Sequence, residues 1–243
     1  CTSDGTQQAA AGSTAASPGA GVKQVVVTMT VNSEPEACFD PLFSWGCREH
    51  VHEPLIQSTL IHTDLELGFV NDLATGYEVS ADGMAWTFTL RDGVRFTDGE
   101  KLTAKDVAFT INGIINSEAA QADLSSIREA VASDDSTVVL HMTHPDNTIL
   151  YTLAVVGIVP AHAYDQDYGS NPIGSGRYRL EQWDRGQQVI LTANPDYYGP
   201  APKVGRVVVL YMSEDASLAA PAAGQLQLAY TTSTQAAQAP AGI

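Results

Sequence analysis

Apolar residues along the chain keep two rhythms, a period of two and a period near 3.6, and the switches between them mark the elements. Residues 22–31, VKQVVVTMTV, are apolar almost throughout and predict a buried first strand. Residues 48–61, REHVHEPLIQSTLI, predict a helix broken or re-aimed at Pro54 that leads into a strand. Trp86, Phe88 and Leu90 then alternate with Thr87, Thr89 and Arg91, the pattern of a half-buried strand. Asp92-Gly93 and Asp98-Gly99 follow as turns, because glycine accepts positive φ and aspartate bonds local backbone. Thr103, three residues before Asp106, forms a capping box with aspartate in place of glutamate, and KDVAFTINGII continues with helical spacing.

Downstream, DLSSIREAVAS (123–133) predicts a second helix, TVVLHMT (137–143) a strand and NTILYTLA (147–154) a short helix. Residues 176–194 alternate in two runs joined at Asp184-Arg185-Gly186, a hairpin signature. KVGRVVVLYMS, a helical EDASLAAPAAGQ kinked or ended at Pro221, and LQLAYT complete a β-α-β unit. The sum is an α/β chain with parallel and antiparallel pieces and no internal repeat.

Charge and cysteines change this picture at the surface and the ends. The chain has 243 residues and a formal net charge of −16, from 28 acidic against 12 basic residues. Such a surface repels phosphate backbones, so no nucleic-acid partner is expected. No run reaches the ~18 apolar residues of a membrane span. Residues 1–22 are small and polar and cannot bury a core, which makes them a flexible tether. Cys1 ahead of such a tether is what remains when a bacterial lipoprotein signal is cut, so a lipid attachment at Cys1 is expected; an arbitrary boundary falling on cysteine is the alternative. Cys38 and Cys47 suit an extracytoplasmic disulfide, with two free thiols or a thiolate metal site as alternatives.

Three ordered motifs carry a resemblance. LATGYEVSADGMAWTFTLRDGVRFTDGEKLTAKDVAFT (73–110), NPIGSGRYRLEQWDRGQQVILTANPDYYGPAPKVGRVVV and EDASLAAPAAGQLQLAY are similar to signatures of the family 5 extracellular solute-binding proteins of bacterial ABC importers. Arg177 stands where that family usually has proline, Tyr198 where tryptophan is usual, and Gln227 where aspartate is common. The resemblance implies lobe I of a two-lobed type II periplasmic-binding-protein fold of the large cluster, a mixed sheet with flanking helices. Residues 23–60 and 170–243 would form its main subdomain and 61–169 an inserted one, with the second lobe outside this sequence. It further implies a monomeric extracytoplasmic receptor, anchored by lipid, that hands a small solute to a membrane permease without catalysis and without a cofactor.

In such a receptor the loop after the first strand lines the cleft, here EPEACFDPLFSWGCREHVHEP. Trp45 can stack on a ligand and Arg48 can fork onto a carboxylate. His50 and His52 share a face only if the segment is extended. Arg177 adds a charge near the interlobe region. These residues are the expected ligand contacts, for a peptide or a metal complex. Nickel or metallophore capture by the histidine loop is an alternative, with structural or solvent-facing histidines as the plainer reading; no metal ligand is assigned. His162 is read as structural, and His141 and His144 as exposed. A surface-anchored interaction module without transport is the alternative of another class. A hydrolase finds its nearest support in IGSGRY, which lacks the Gly-x-Ser-x-Gly elbow.

Overall fold

A computed structural model describes residues 23–30, 34, 39–43, 46–47, 50–51, 54–213, 216 and 228–229. The strands before the first helix are β1 (Gln24–Thr30), β2 (Gly46–Cys47), β3 (His50–Val51), β4 (Ile61–Thr63), β5 (Phe69–Asn71), β6 (Ala74–Val79) and β7 (Ala85–Leu90). Helix α1 (Ala104–Ile115) precedes β8 (Ile127–Ala132) and β9 (Thr137–Met142), and α2 (Ile149–Leu153) follows them. β10 (Tyr178–Asp184), β11 (Gln188–Ala193), β12 (Arg206–Met212) and β13 (Leu228–Ala229) complete the order.

Two sheets organise the molecule. One is antiparallel, in the order β6-β7-β9-β8, built from one contiguous stretch of chain. Trp86, Phe88 and Leu90 of β7 and Val138, Leu140 and Met142 of β9 turn to one face and are buried there, as period-two alternation requires. α1 lies over that face at β8 and β9, burying Val107, Ile111 and Ile114. The capping box forms as read: the Thr103 amide donates to Asp106 Oδ2 at 2.8 Å, while the Thr103 hydroxyl caps the first turn. Gly93 and Gly99 take φ of 77° and 93°, as their turns demand.

The other sheet is mixed, in the order β10-β11-β12-β1-β13. β1 lies between β12 and β13 and is parallel to both, while β11 is antiparallel to β10 and β12. Its strands come from three separate stretches of chain, the first of them almost 150 residues from the others. One face carries a small apolar cluster of Ile56, Tyr178, Val189, Leu191 and Tyr211, and on the other Ile190 and Val208 are fully buried. The hairpin at 184–186 is present, with Gly186 at φ 74°.

Two expected helices are not formed. Residues 127–132 are strand β8, because the ladder to β9 and the Asn112 side chain both claim their backbone: Asn112 Nδ2 donates to Ala130 O and Ala130 N donates to Asn112 Oδ1, each at 2.8 Å. In 48–61, the described residues include strand β3 and an irregular crossing at 54–60. There the carbonyls of Leu55 and Ile56 accept from Tyr178 N (3.0 Å) and Gly176 N (2.8 Å), which commits them to an extended pairing. β1 is half-buried along most of its length rather than enclosed. The expected helix at 214–225 lies outside the described residues except at position 216.

This crossing fastens the two sheets together. A Cβ on Gly174 would stand 1.9 Å from Ile56 O, so only glycine fits there. Thr97 N, from the turn after β7, donates to Gly174 O at 2.9 Å. Asp106 Oδ1 accepts from Ala161 N at 3.0 Å, and His162 Nε2 meets Asp98 Oδ2 at 2.7 Å. Residues 97–106 are thus tied to the 161–174 segment that leads into the mixed sheet, and His162 belongs to that tie. His141 is half-buried within β9, and His144 is exposed.

Candidate functional site

In sheets with parallel strands, ligands bind outside the carboxyl ends of those strands. Here that end is formed by the ends of β1 and β12 and by the β10–β11 turn, since Thr30 pairs with Met212 and Tyr211 N donates to Gln187 O. Glu34, just past β1, holds the turn. Its carboxylate accepts from the Trp183 indole at 2.9 Å and from Gly186 N at 2.8 Å. The Arg185 guanidinium lies 4.1 Å over the Trp183 ring, and Phe39 packs edge-on against it at 5.0 Å.

The chain beyond Phe39 is pinned by buried polar contacts. Asp40 is buried, and its carboxylate accepts from Leu42 N (2.9 Å) and from the Tyr164 hydroxyl (2.8 Å). Burial pushes the Asp40 carboxyl up, and the two hydrogen bonds pull it part of the way back. Gln57 Nε2 donates to Phe39 O at 3.1 Å and to the Tyr168 hydroxyl at 3.0 Å. From this footing the short ribbon β2–β3 emerges, with Cys47 opposite His50. On the outer side of β10, a polar depression of about 390 Å³ runs between 170–172 and 180–185 and includes Trp183 and Arg185.

The sequence-expected contacts distribute unevenly over this site. The backbone of His50 lies in extended strand β3, which the described residues follow only as far as Val51. Trp45, Arg48 and His52 lie outside the described residues, as do Cys1 and Cys38; Cys47 is described only through its backbone. Arg177 is elsewhere. It precedes β10 at the opposite end of the sheet, roughly 20 Å along the strand from Trp183 at the usual rise per residue. There its Nε donates to the Tyr197 hydroxyl at 3.3 Å and its guanidinium lies 5.8 Å from that ring. Beside it, the Tyr198 hydroxyl donates to Asp72, and burial together with the Asp72 charge pushes the phenol far up. Tyr198 is therefore a neutral link between the two sheets.

Sequence reasoning missed the Glu34–Trp183–Gly186 grip. Its partners are about 150 residues apart in the chain, and no local pattern marks such a pair. Ser175, considered as a nucleophile, is fully buried between two glycines packed on 55–57. Its hydroxyl is closed to any substrate. Among the described residues no group of three His, Cys, Asp or Glu side chains is placed to hold a metal ion, and no helix is long and apolar enough to cross a membrane.

Residues 68–241 match the family model of bacterial extracellular solute-binding proteins, family 5 Middle. Protein XP55 of Streptomyces lividans is 33% identical over 199 residues, which cover 78% of this chain and 36% of that protein. The oligopeptide-binding protein AppA of Bacillus subtilis, solved with a nonapeptide, superposes with a TM-score of 0.77 at 26% identity over 89% of this chain and 45% of its own. NikZ of Campylobacter jejuni, solved with Ni(L-His), gives 0.78 at 24% identity over 88% and 44%. The chain thus spans about a third of the length of that curated relative and under half of each solved protein.

Proposed function

The chain belongs to the bacterial extracellular solute-binding proteins of family 5, and from that premise we propose that it is one lobe of a non-catalytic receptor that captures a peptide or metal complex and delivers it to an ABC import permease. Residues 23–60 and 170–243 serve as its main subdomain and 61–169 as the inserted one. The observation that carries the reading is the Glu34–Trp183 grip at the carboxyl end of β1. It fixes the root of the 39–51 segment where a solute facing the strand ends would arrive.

Ligand contact is assigned to Trp45, Arg48, His50 and His52 of that loop; Arg177, stacked on Tyr197 at the far end, is assigned to the scaffold. Binding requires no chemistry at the lobe. The solute shifts an open–closed equilibrium by its differential contacts with the two states. A peptide is favoured because AppA, crystallised with a nonapeptide, is the relative with the higher identity of the two solved structures. Cys1 carries the lipid anchor, Cys38 and Cys47 form an extracytoplasmic disulfide, and the receptor acts as a monomer.

Titration calorimetry of the protein carrying this chain, against short-peptide pools and against nickel–histidine, tests the reading. Saturable heat with peptides, weakened tenfold or more by Trp45→Ala, is expected. Heat with nickel–histidine alone, lost in His50→Ala/His52→Ala, moves the solute to a metal complex. No heat with either class overturns the receptor reading.

A further inference from the structure

We propose that the amino end of the five-stranded sheet is a docking surface for anionic phospholipid headgroups. Three segments meet there: Gly205 N and Arg206 N donate to Lys23 O, Ala193 N donates to Gly205 O, and Asn194 N donates to Arg177 O. Segments 23–24, 177–181 and 194–206 carry five of the chain's 12 Lys and Arg but only two of its 28 Asp and Glu. The remainder of the chain therefore holds seven cations against 26 carboxylates. An acidic protein has gathered nearly half its positive charge at one end of one sheet.

The cations there are not equivalent. Arg206 is buried and committed, its guanidinium donating to both Glu181 oxygens at 3.0 Å and to Gln24 at 2.8 Å. Arg177 is engaged with Tyr197. Lys23, Arg179 and Lys203 are exposed and make no ion pair with a described residue. Of the two carboxylates in these segments, Glu181 is neutralised by Arg206 and Asp196 is exposed; Asp72, bonded to the Tyr198 hydroxyl, adds a third at this end, with the Arg91 guanidinium over the Tyr198 ring beside it.

Screening decides whether such an end can approach a negative surface. At about 0.1 M salt the Debye length is roughly 10 Å, so the acidic remainder of the molecule goes unfelt while the exposed cations are attracted. At low salt the screening length grows and the net charge repels the whole protein. Attraction is therefore greatest at intermediate ionic strength. The choice of a bilayer over an acidic protein rests on the lipid-anchor reading given above. Lys23 follows directly on residues 1–22, so that only a short, small and polar stretch of sequence separates it from Cys1. A lipid on Cys1 would hold this end at the bilayer, and a single weak contact becomes effective when tethered. In that pose the carboxyl end of β1 faces away from the bilayer, open to solute.

The test uses the protein carrying this chain in unacylated form, so that it stands independently of whether Cys1 is lipidated. Its sedimentation with phosphatidylglycerol/phosphatidylcholine vesicles is compared with that on pure phosphatidylcholine across a salt series. Partition onto the anionic vesicles is expected to peak near about 0.1 M salt. It should fall roughly tenfold or more in Lys23→Gln/Arg179→Gln/Lys203→Gln, at unchanged thermal midpoint, and hold in Lys105→Gln/Arg128→Gln. Equal partition onto both vesicle types, full retention in the triple variant, or binding to an acidic protein but to neither vesicle would overturn the proposal. Mass spectrometry of Cys1 in membrane-extracted protein reports on the anchor separately.

Discussion

The two sheets are built on different plans. The antiparallel sheet β6-β7-β9-β8 is contiguous in sequence, roofed by α1, and shares in a core cluster of 30 buried residues that includes Phe88, Ile111 and Leu140. The mixed sheet joins strands from residues 24–30, 178–212 and 228–229, and among the described residues the apolar cluster on one of its faces has five buried members. Local strands and a large core make the first a self-supporting scaffold. The second depends on closures between distant segments, which cost more chain entropy and form late. The loop proposed to meet ligand is rooted in the second. The proposed site thus lies on the sheet whose strands are less local, and the first sheet is joined to that region through the 97–174 and 72–198 contacts.

The largest test of this contrast is Gly174→Ala. The new methyl would collide with Ile56 O, a backbone atom that cannot swing aside, so a loss on the order of 4 kcal/mol or more is expected in denaturant unfolding. A loss below about 1 kcal/mol would mean the crossing is not a fastener. Phe88→Ala sharpens the comparison, with an expected cost of about 3–5 kcal/mol from burial lost and a cavity left. Val189→Ala in the small cluster should cost roughly 2 kcal/mol. Single-tryptophan variants retaining Trp86 or Trp183 separate the regions: Phe88→Ala should shift the Trp86 transition further than the Trp183 transition. Equal shifts would make the sheets one cooperative unit.

Acidity gives a smaller effect with a definite sign. Asp82, Asp92, Asp123, Asp134, Asp146 and Asp184 are held below the ordinary carboxylate range, chiefly by neighbouring Ser, Thr, Gln and Lys side chains and by local amides. The stability they contribute is present above the unfolded value and is lost as pH falls through their folded values. Asp40 runs the other way: its raised folded value makes its contribution greatest at low pH and lost as pH rises. Wild-type stability should therefore fall on acidification from pH 5 to about 3, and Asp40→Asn should make that fall steeper. An unchanged slope would mean Asp40 is not desolvated. Smallest of all is Leu67→Gly. Leu67 holds φ at 63° at the β4–β5 turn and is mostly exposed, so glycine relieves left-handed strain while losing little burial, and a gain of at most about 1 kcal/mol is expected in thermal melts.

Local chemistry was the part of the fold legible in sequence. The β7 alternation, the glycine turns, the Thr103–Asp106 box and the 184–186 hairpin each involve residues within a few positions of one another. The two misread segments failed where distant partners decide. SSIREAV has helical spacing, yet Asn112 and β9 take its backbone; the apolar run at Leu55 and Ile56 is drawn into pairing with 176–178. The site divides in the same way. Loop 34–54 was singled out through the family resemblance together with its polar and aromatic groups, and Arg177 as a charge where the family has proline; the Tyr197 ring beside Arg177 only the fold reveals.

The central claim is that ligand meets the carboxyl end of the mixed sheet while the antiparallel sheet stays scaffold. Indole N–H resonances of the three tryptophans report on this in one spectrum of the protein carrying this chain, titrated with a short-peptide pool. The account predicts that Trp45 moves most, Trp183 moves with it through the Phe39 and Glu34 contacts, and Trp86 stays in place. Movement of Trp86 with Trp45 and Trp183 unchanged would put the ligand on the other sheet and contradict it.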